Sequence, residues 1–335
     1  MRKILFAILF LFCGVSIFSA DAQTTITKKC IIIDNDFCGD PDGLFQLTHE
    51  LLCSSCDIRG IVGGHLSASG FTHKEHSATL SCEKADTVLD LLGLKGHIKV
   101  VPGAQSGLTS TTEPIESDGA RLIVEEARKC TKDKPLYVCC GASLTNIASA
   151  HLMDPSIDDK VVLIWIGGQD YKGLADGLPY DPSNVEFNLS LSIPAAQVIF
   201  NKSNIRVWQV PRGVYGQCMY GIDEMRAKIA PCGKIGEYLY KSIEALYDEL
   251  KHYGVGMGEA YVLGDSPLVL LSSLVSDRAN PASCLYKEVK APTINDNGSY
   301  SENKDSRLIR VYYHLDTRLM FGDLESKLQQ LKNKM

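Results

Sequence analysis

Four aspartates, Asp34, Asp36, Asp40 and Asp42, lie within nine residues of the segment Ile33-Asp34-Asn35-Asp36-Phe37-Cys38-Gly39-Asp40-Pro41-Asp42-Gly43. An apolar run precedes them and a helical pattern follows. Carboxylates crowded in this way raise one another's pKa, which is costly unless a cation is present. A hard cation with oxygen ligands, Ca2+ above all, relieves the repulsion. The spacing is not that of an EF-hand loop, which needs a glutamate at its twelfth position. Asp40 or Asp42 suits the cap of the following helix, and Pro41 suits its first turn. Capping uses one carboxylate, however, and four are present.

The elements that must hold this loop are legible as apolar runs alternating with helical stretches. Residues 30–33, 58–62, 98–101, 136–140, 161–166 and 205–210 read as strands. Residues 44–52, 75–92, 119–130, 144–153 and 194–201 read as helices. Continuous apolar strands with helices between them predict an open, mostly parallel α/β sheet flanked by helices and joined by right-handed crossovers. The stretch 167–183 is rich in Gly, Asp, Tyr and Pro and has no period, as in a functional loop after a strand end. Residues 222–252 are helical and amphipathic. The tail, 285–316, predicts short antiparallel strands, a small C-terminal addition to the sheet, and 324–332 a closing helix.

The aspartate segment resembles the Asp-Thr-Asp-Pro-Gly-x-Asp-Asp signature of the inosine–uridine-type nucleoside hydrolases. Further motifs follow in that family's order. Gly60-Ile-Val-Gly-Gly-His65 is similar to its second strand, and Val100-Val-Pro-Gly-Ala104 to its Val-Pro-x-Gly-Ala stretch. Leu144-Thr145-Asn146 matches its Leu-Thr-Asn motif. Ile164-Trp-Ile-Gly-Gly168 resembles its Met-Gly-Gly strand end. Glu186-Phe187-Asn188 matches Glu-Phe-Asn, Ile193-Pro-Ala-Ala196 its Asp-Pro-x-Ala-Ala helix start, and Gly264-Asp265-Ser266-Pro267-Leu268 its late His-Asp-Pro-Leu segment. The likeness spans most of residues 30–332. It implies a nucleoside-hydrolase, Rossmann-like fold and a hydrolase that cleaves the N-glycosidic bond of ribonucleosides to free base and ribose with a Ca2+-bound water.

The resemblance also implies roles for individual residues. Asp36 matches the aspartate that binds Ca2+ and deprotonates the attacking water. Asp265 matches a late metal ligand, and the carbonyl of Gly141 completes the site. The family's paired Asp-Asp is absent here. Asp40 and Asp42 share its roles, with Asp40 expected on the metal and Asp42 on the ribose. Glu186 and Asn188 match groups that hold ribose hydroxyls. Tyr180 stands at the spacing of a family asparagine for which Asn184 can substitute. His65 stands where the family often carries an asparagine facing the sugar. Gly264 replaces a histidine that helps the base leave, and His65, His73, His76 and Tyr261 are candidate replacements. General acid catalysis contributes about 10²–10⁴-fold, so its loss need not abolish turnover. The loops 71–76 and 213–221 are expected to form the base pocket.

Two other readings compete. Strand-Asp34-x-Asp36 also resembles the nucleophile and acid of haloacid-dehalogenase phosphatases, although Cys38 stands in the threonine position. The altered aspartates and the missing histidine also fit a catalytically inactive ribose- or nucleoside-binding protein, or a hydrolase of another ribosyl compound.

The N-terminus, Met1-Arg2-Lys3, an apolar run to about residue 18 and Ala20-Asp21-Ala22, has the pattern of a signal peptide over residues 1–22, which implies a periplasmic or secreted protein with 23–335 as one domain. Cys13 lacks the small residues expected before a lipoprotein anchor. No later run is long enough to span a membrane. The net charge is −6 with no basic, aromatic-interleaved patch, so nucleic acid is not an expected partner. The expected partner is a small nucleoside. The likeness admits a homo-oligomer. Twelve cysteines become eleven after cleavage, so at least one thiol is unpaired within the chain. Most sit beside apolar residues and read as small buried hydrophobes, while Cys53 and Cys56 have redox-motif spacing.

Overall fold

The structure is a computed structural model in which residues 28–67, 74–275 and 283–334 are described. The expected signal peptide lies outside them. Among the described residues the strands are β1 (Lys29–Asn35), β2 (Cys56–Gly63), β3 (Val100–Pro102), β4 (Leu136–Cys140), β5 (Val161–Ile166), β6 (Arg206–Val210), β7 (Met219–Gly221), β8 (Ala260–Val262), β9 (Cys284–Lys290), β10 (Thr293–Ile294), β11 (Tyr300–Ser301) and β12 (Leu308–Leu315). The main sheet has the order β3-β2-β1-β4-β5-β6-β12-β9. Every neighbouring pair in it is parallel except β12 and β9. β1, β4 and β5 sit in its middle and are buried on both faces, which is why they read as unbroken apolar runs.

The helices are α1 (Asp42–Leu51), α2 (Ser77–Leu91), α3 (Asp118–Arg128), α4 (Thr145–Met153), α5 (Phe187–Ser190), α6 (Ile193–Gln197), α7 (Arg212–Tyr215), α8 (Ile222–Lys228), α9 (Gly233–His252), α10 (Pro267–Val269) and α11 (Thr317–Lys334). Two apolar clusters cover the two faces of the sheet, one containing Ile31, Ile33, Phe45 and Leu268, the other Ile32, Val138, Trp165 and Phe200. Alternate residues of β1 thus point to opposite sides, as the pleat demands. Among the described residues no helix is long and apolar enough to cross a membrane.

Three details differ from the sequence pattern. The helical stretch 222–252 is broken into α8 and α9, and Gly233 takes the positive φ of 74° that restarts the chain. The stretch expected as a helix over 194–201 begins as α6 and closes in a π-helical turn, Val198–Lys202. In the tail, β10 and β11 form a small antiparallel pair, but β12 docks parallel to β6 and extends the main sheet.

Candidate active site

Reading outward from β4, the strand order reverses beside β1, and a crevice opens at the carboxyl ends of β1, β4 and β5. Open α/β sheets bind ligands at such a switch point. The ends of these strands are cross-tied. Asn146 Nδ2 donates to Asp34 Oδ1 at 3.0 Å, and Asn146 Oδ1 accepts from Ala104 N at 2.9 Å. The Leu-Thr-Asn motif and the Val-Pro-Gly-Ala stretch thereby fix the end of β1. Asp34 is fully buried, its pKa pushed up to about 7 by burial, and it lies outside the cavity lining. It is therefore poorly placed as a phosphatase nucleophile.

The next residue reaches across the fold. Asn35 Nδ2 donates to Asp265 Oδ2 at 2.9 Å while its Oδ1 accepts from Asp36 N at 2.9 Å. One amide thus couples the aspartate loop to a residue 230 positions later. Asp265 is delivered by the β7–β8 ribbon, just after β8. A Cβ at Gly141, directly after β4, would lie 2.5 Å from Asn35 Nδ2 and 2.7 Å from Asp265 Oδ1, so the close approach requires glycine there.

These groups line one cavity of about 650 Å³ that contains Asp36, Asp40, Asp42, Gly141, Glu186, Asn188, Gly264 and Asp265. Asp36, Asp42 and Asp265 are buried and Asp40 is exposed. Asp42 Oδ1 accepts from Gly43 N at 2.8 Å, and its Oδ2 accepts from Asp265 N at 3.1 Å. Asp40 instead accepts from Tyr261 OH at 2.5 Å. Burial, together with the charges of Asp265 and Asp40, holds Asp36 and Asp42 well above the usual carboxylate range. Burial likewise pushes Asp265 up to about 8. Lys74 lines the cavity, but its ammonium donates to the Cys38 carbonyl, and Arg212 pairs with Asp170. Among the described residues no Lys or Arg forms an ion pair with Asp36, Asp42 or Asp265. Three buried carboxylates without a cationic side chain share this cavity with Gly141, an all-oxygen donor chemistry that suits a hard divalent cation, although their oxygens do not all lie within 4.8 Å of one another.

The opposite wall begins at Glu186, which is 1% exposed and caps α5. Its Oε2 accepts from Gly168 N at 2.6 Å and Leu189 N at 3.0 Å. Its Oε1 accepts from Asn188 N at 3.1 Å and Tyr215 OH at 2.8 Å. Burial raises its pKa and these bonds pull it back. Asn188 Nδ2 donates to the carbonyls of Gly141 and Ile166 at 3.1 and 2.9 Å, which leaves its Oδ1 as the atom able to accept from a ligand.

Two expected ribose contacts do not reach the cavity. His65 is buried, with Nε2 on Thr145 Oγ1 and Nδ1 on the Leu66 carbonyl, both at 2.9 Å, and burial lowers its pKa. Asn184 is exposed and donates to Asp181 at 3.2 Å. Of the candidate acids, His76 is exposed and does not line the cavity, Tyr261 does, and His73 lies outside the described residues. Of the two expected base-pocket loops, residues 71–73 are likewise outside them, while Lys74, Tyr215, Gly216 and Met219 line the cavity. Sequence reasoning missed Asn35 and Tyr215. Asn35 had a signal, its place between two aspartates. Tyr215 had none, yet its ring takes the space beside position 264, where an added Cβ would meet Cδ2 at 3.2 Å.

No protein-family model matches the chain, and no curated protein sequence matches it. Solved structures do. A plant nucleoside hydrolase superposes with a TM-score of 0.67 at 15% identity, over 90% of this chain and 99% of its own. The chain has the nucleoside-hydrolase fold. A purine-preferring ribonucleoside hydrolase from Gardnerella vaginalis gives a TM-score of 0.67 at 18% identity, over 92% and 100% of the two chains. The inosine-uridine preferring nucleoside hydrolase from Bacillus anthracis gives 0.62 at 13%, over 90% and 99%. The nucleoside-hydrolase fold explains why the aspartate loop and the residue at 265 converge. The loop leaves a central strand at the switch point, and the β7–β8 ribbon brings Asp265 to the same place.

Proposed function

We propose that the chain is a divergent nucleoside hydrolase that cleaves the N-glycosidic bond of ribonucleosides to free base and ribose. The observation that carries this reading is the meeting of Asp36, Asp42 and Asp265 in one cavity with Glu186 and Asn188. The residues suited to hold a calcium ion are Asp36, Asp42, Asp265 and the Gly141 carbonyl. When bound, the ion would offset the repulsion of the carboxylates and make a coordinated water more acidic.

The chain's own groups then divide the work. Asp36 orients the water and takes its proton. Asn188 Oδ1 and the exposed carboxylate of Asp40 accept from the ribose hydroxyls. The sugar passes through an oxocarbenium-like state, and the surrounding carboxylates stabilise the positive charge that develops on it. The expected roles of Asp40 and Asp42 are thus exchanged, because Asp42 is the one joined to Asp265. Glu186 holds the wall that carries Asn188. Read with the signal-peptide pattern of residues 1–22, the reaction takes place in the periplasm or outside the cell.

Two observations favour a second reading, a nucleoside-binding protein without turnover. Gly264 offers no acid to the leaving base, and both oxygens of Glu186 are already engaged. The deciding experiment incubates the purified protein with a nucleoside panel, with and without chelator, and assays free ribose. Chelator-sensitive ribose release supports the hydrolase. Nucleoside binding with no release from any member of the panel refutes it in favour of the binder.

A further inference from the structure

At the far end of α1 from the aspartate loop, a second set of donor atoms comes together. His49, in the last turn of α1, Cys53, in the turn that follows, and Asp323, on α11, place one nitrogen, one sulfur and one oxygen within 4.8 Å of one another. His49 is 1% exposed and Cys53 7%, while Asp323 opens the group to solvent at 27%. His49 Nε2 lies 2.8 Å from Asp323 Oδ2. The Cys53 backbone is tied into the turn, where Cys53 N donates to Glu50 O at 3.0 Å and Cys53 O accepts from Cys56 N at 3.2 Å. Cys56 lies against Cys53: the two thiols interact side chain to side chain, and Cys56 Sγ is also 2.8 Å from Ser273 Oγ and 3.2 Å from Glu50 Oε1.

The geometry points to a zinc site formed by His49, Cys53 and Asp323, which staples the C-terminal helix α11 to α1. A mixed imidazole, thiolate and carboxylate set is the donor chemistry of Zn2+, whereas the oxygen-only cavity suits Ca2+. With Zn–N and Zn–O near 2.0 Å and Zn–S near 2.3 Å, tetrahedral donors lie roughly 3.3–3.7 Å apart, so the wider separations close by up to about an ångström while the His49 Nε2–Asp323 Oδ2 pair, now at 2.8 Å, opens by about half an ångström. Water takes the fourth position. Lys327, now paired with Asp323, gives up that contact and returns to solvent. Binding releases the thiol proton of Cys53 and any proton on His49. The proposal is independent of the hydrolase reading.

The test uses the full chain, stripped with chelator and titrated with Zn2+ and with Co2+ while excess Ca2+ is present. The expected result is about one tight equivalent of zinc, thiolate-to-cobalt charge-transfer absorption, and a rise in Tm that Ca2+ does not reproduce. Cys53→Ser loses the absorption. Asp323→Asn, a change at a half-exposed position, weakens zinc binding at least about tenfold. The proposal is overturned if the wild-type chain binds no zinc, if its cobalt form lacks the charge-transfer band, or if Cys53 and Cys56 are recovered as a disulfide.

Discussion

Asp265 sets up a stability experiment with a defined sign. Its ordinary value is 3.8, and burial pushes it to about 8 in the folded chain. Between those values the folded state holds a proton that the unfolded state releases. Stability without metal therefore falls as pH rises from about 4 to about 8, and it is flat with respect to this group outside that window. Each unit is worth about 1.4 kcal/mol, so the cost of the buried charge at Asp265 accumulates toward the alkaline end. Asp36 and Asp42 act in the same direction. Calcium must displace these protons, so its stabilisation grows with pH. At 100 times Kd it contributes about 2.7 kcal/mol, or near 5 °C in Tm for a chain of this size. The assay is thermal unfolding at about pH 5 and about pH 8, in EGTA and in excess calcium, for wild type and Asp265→Asn. The variant carries no buried charge at this position. It should be more stable than wild type in EGTA at about pH 8, converge with it at about pH 5, and lose most of the calcium increment. An Asp265→Asn chain less stable than wild type in EGTA at the higher pH, or one with the full calcium response, would refute the reasoning.

Three further outcomes follow from the same site. Asp36→Asn should keep the fold by circular dichroism and lower ribose release by about 10²–10⁴-fold, because the carboxylate that takes the water's proton is gone. Gly141→Ala forces a methyl group to 2.5 Å from Asn35 Nδ2 and 2.7 Å from Asp265 Oδ1. It should cost about 1–3 kcal/mol in urea unfolding and abolish the calcium increment in Tm. Glu186→Gln retains one acceptor oxygen for four donors. It should destabilise the chain by about 1–3 kcal/mol and raise KM more than it lowers kcat, since the wall that aims Asn188 loosens.

The frame of the molecule was legible because burial on two faces leaves a plain trace. Val161–Ile166 and Leu136–Cys140 are strands with the bounds their apolar runs predict, and β1 differs from expectation only at its ends. The convergence of Asp36 with Asp265, Glu186 and Asn188 was legible only through motif order, since nothing local in residue 265 announces a partner 229 positions upstream. What could not be read was side-chain direction. His65 stands at the right place in the chain, yet two hydrogen bonds, to Thr145 and Leu66, turn its ring into the protein. Asn184 follows an Asp-Pro-Ser turn whose own hydrogen bonds to Asp181 keep it at the surface. The parallel docking of β12 escaped notice because a short alternating segment gives no sign of its partner strand.

The two departures from the family pattern become intelligible together. Five residues separate Asp36 from Asp42, one more than the signature places between its metal-binding aspartate and the last carboxylate. Asp40 is exposed and lines the cavity, where Tyr261 OH donates to it. Asp42 is then carried into the first turn of α1. Its Oδ1 takes the Gly43 N–H of the first turn and its Oδ2 the Asp265 N–H, so a single carboxylate ties the start of the helix to the opposing loop. That second contact draws residue 264 close. A side chain there would begin 3.3 Å from Asp42 Oδ2 and 3.2 Å from the ring of Tyr215. A histidine at 264 would need either Asp42 or Tyr215 to move, and Tyr215 is fixed by its bond to Glu186. Gly264 is therefore the sterically consistent neighbour of Asp42 and Tyr215.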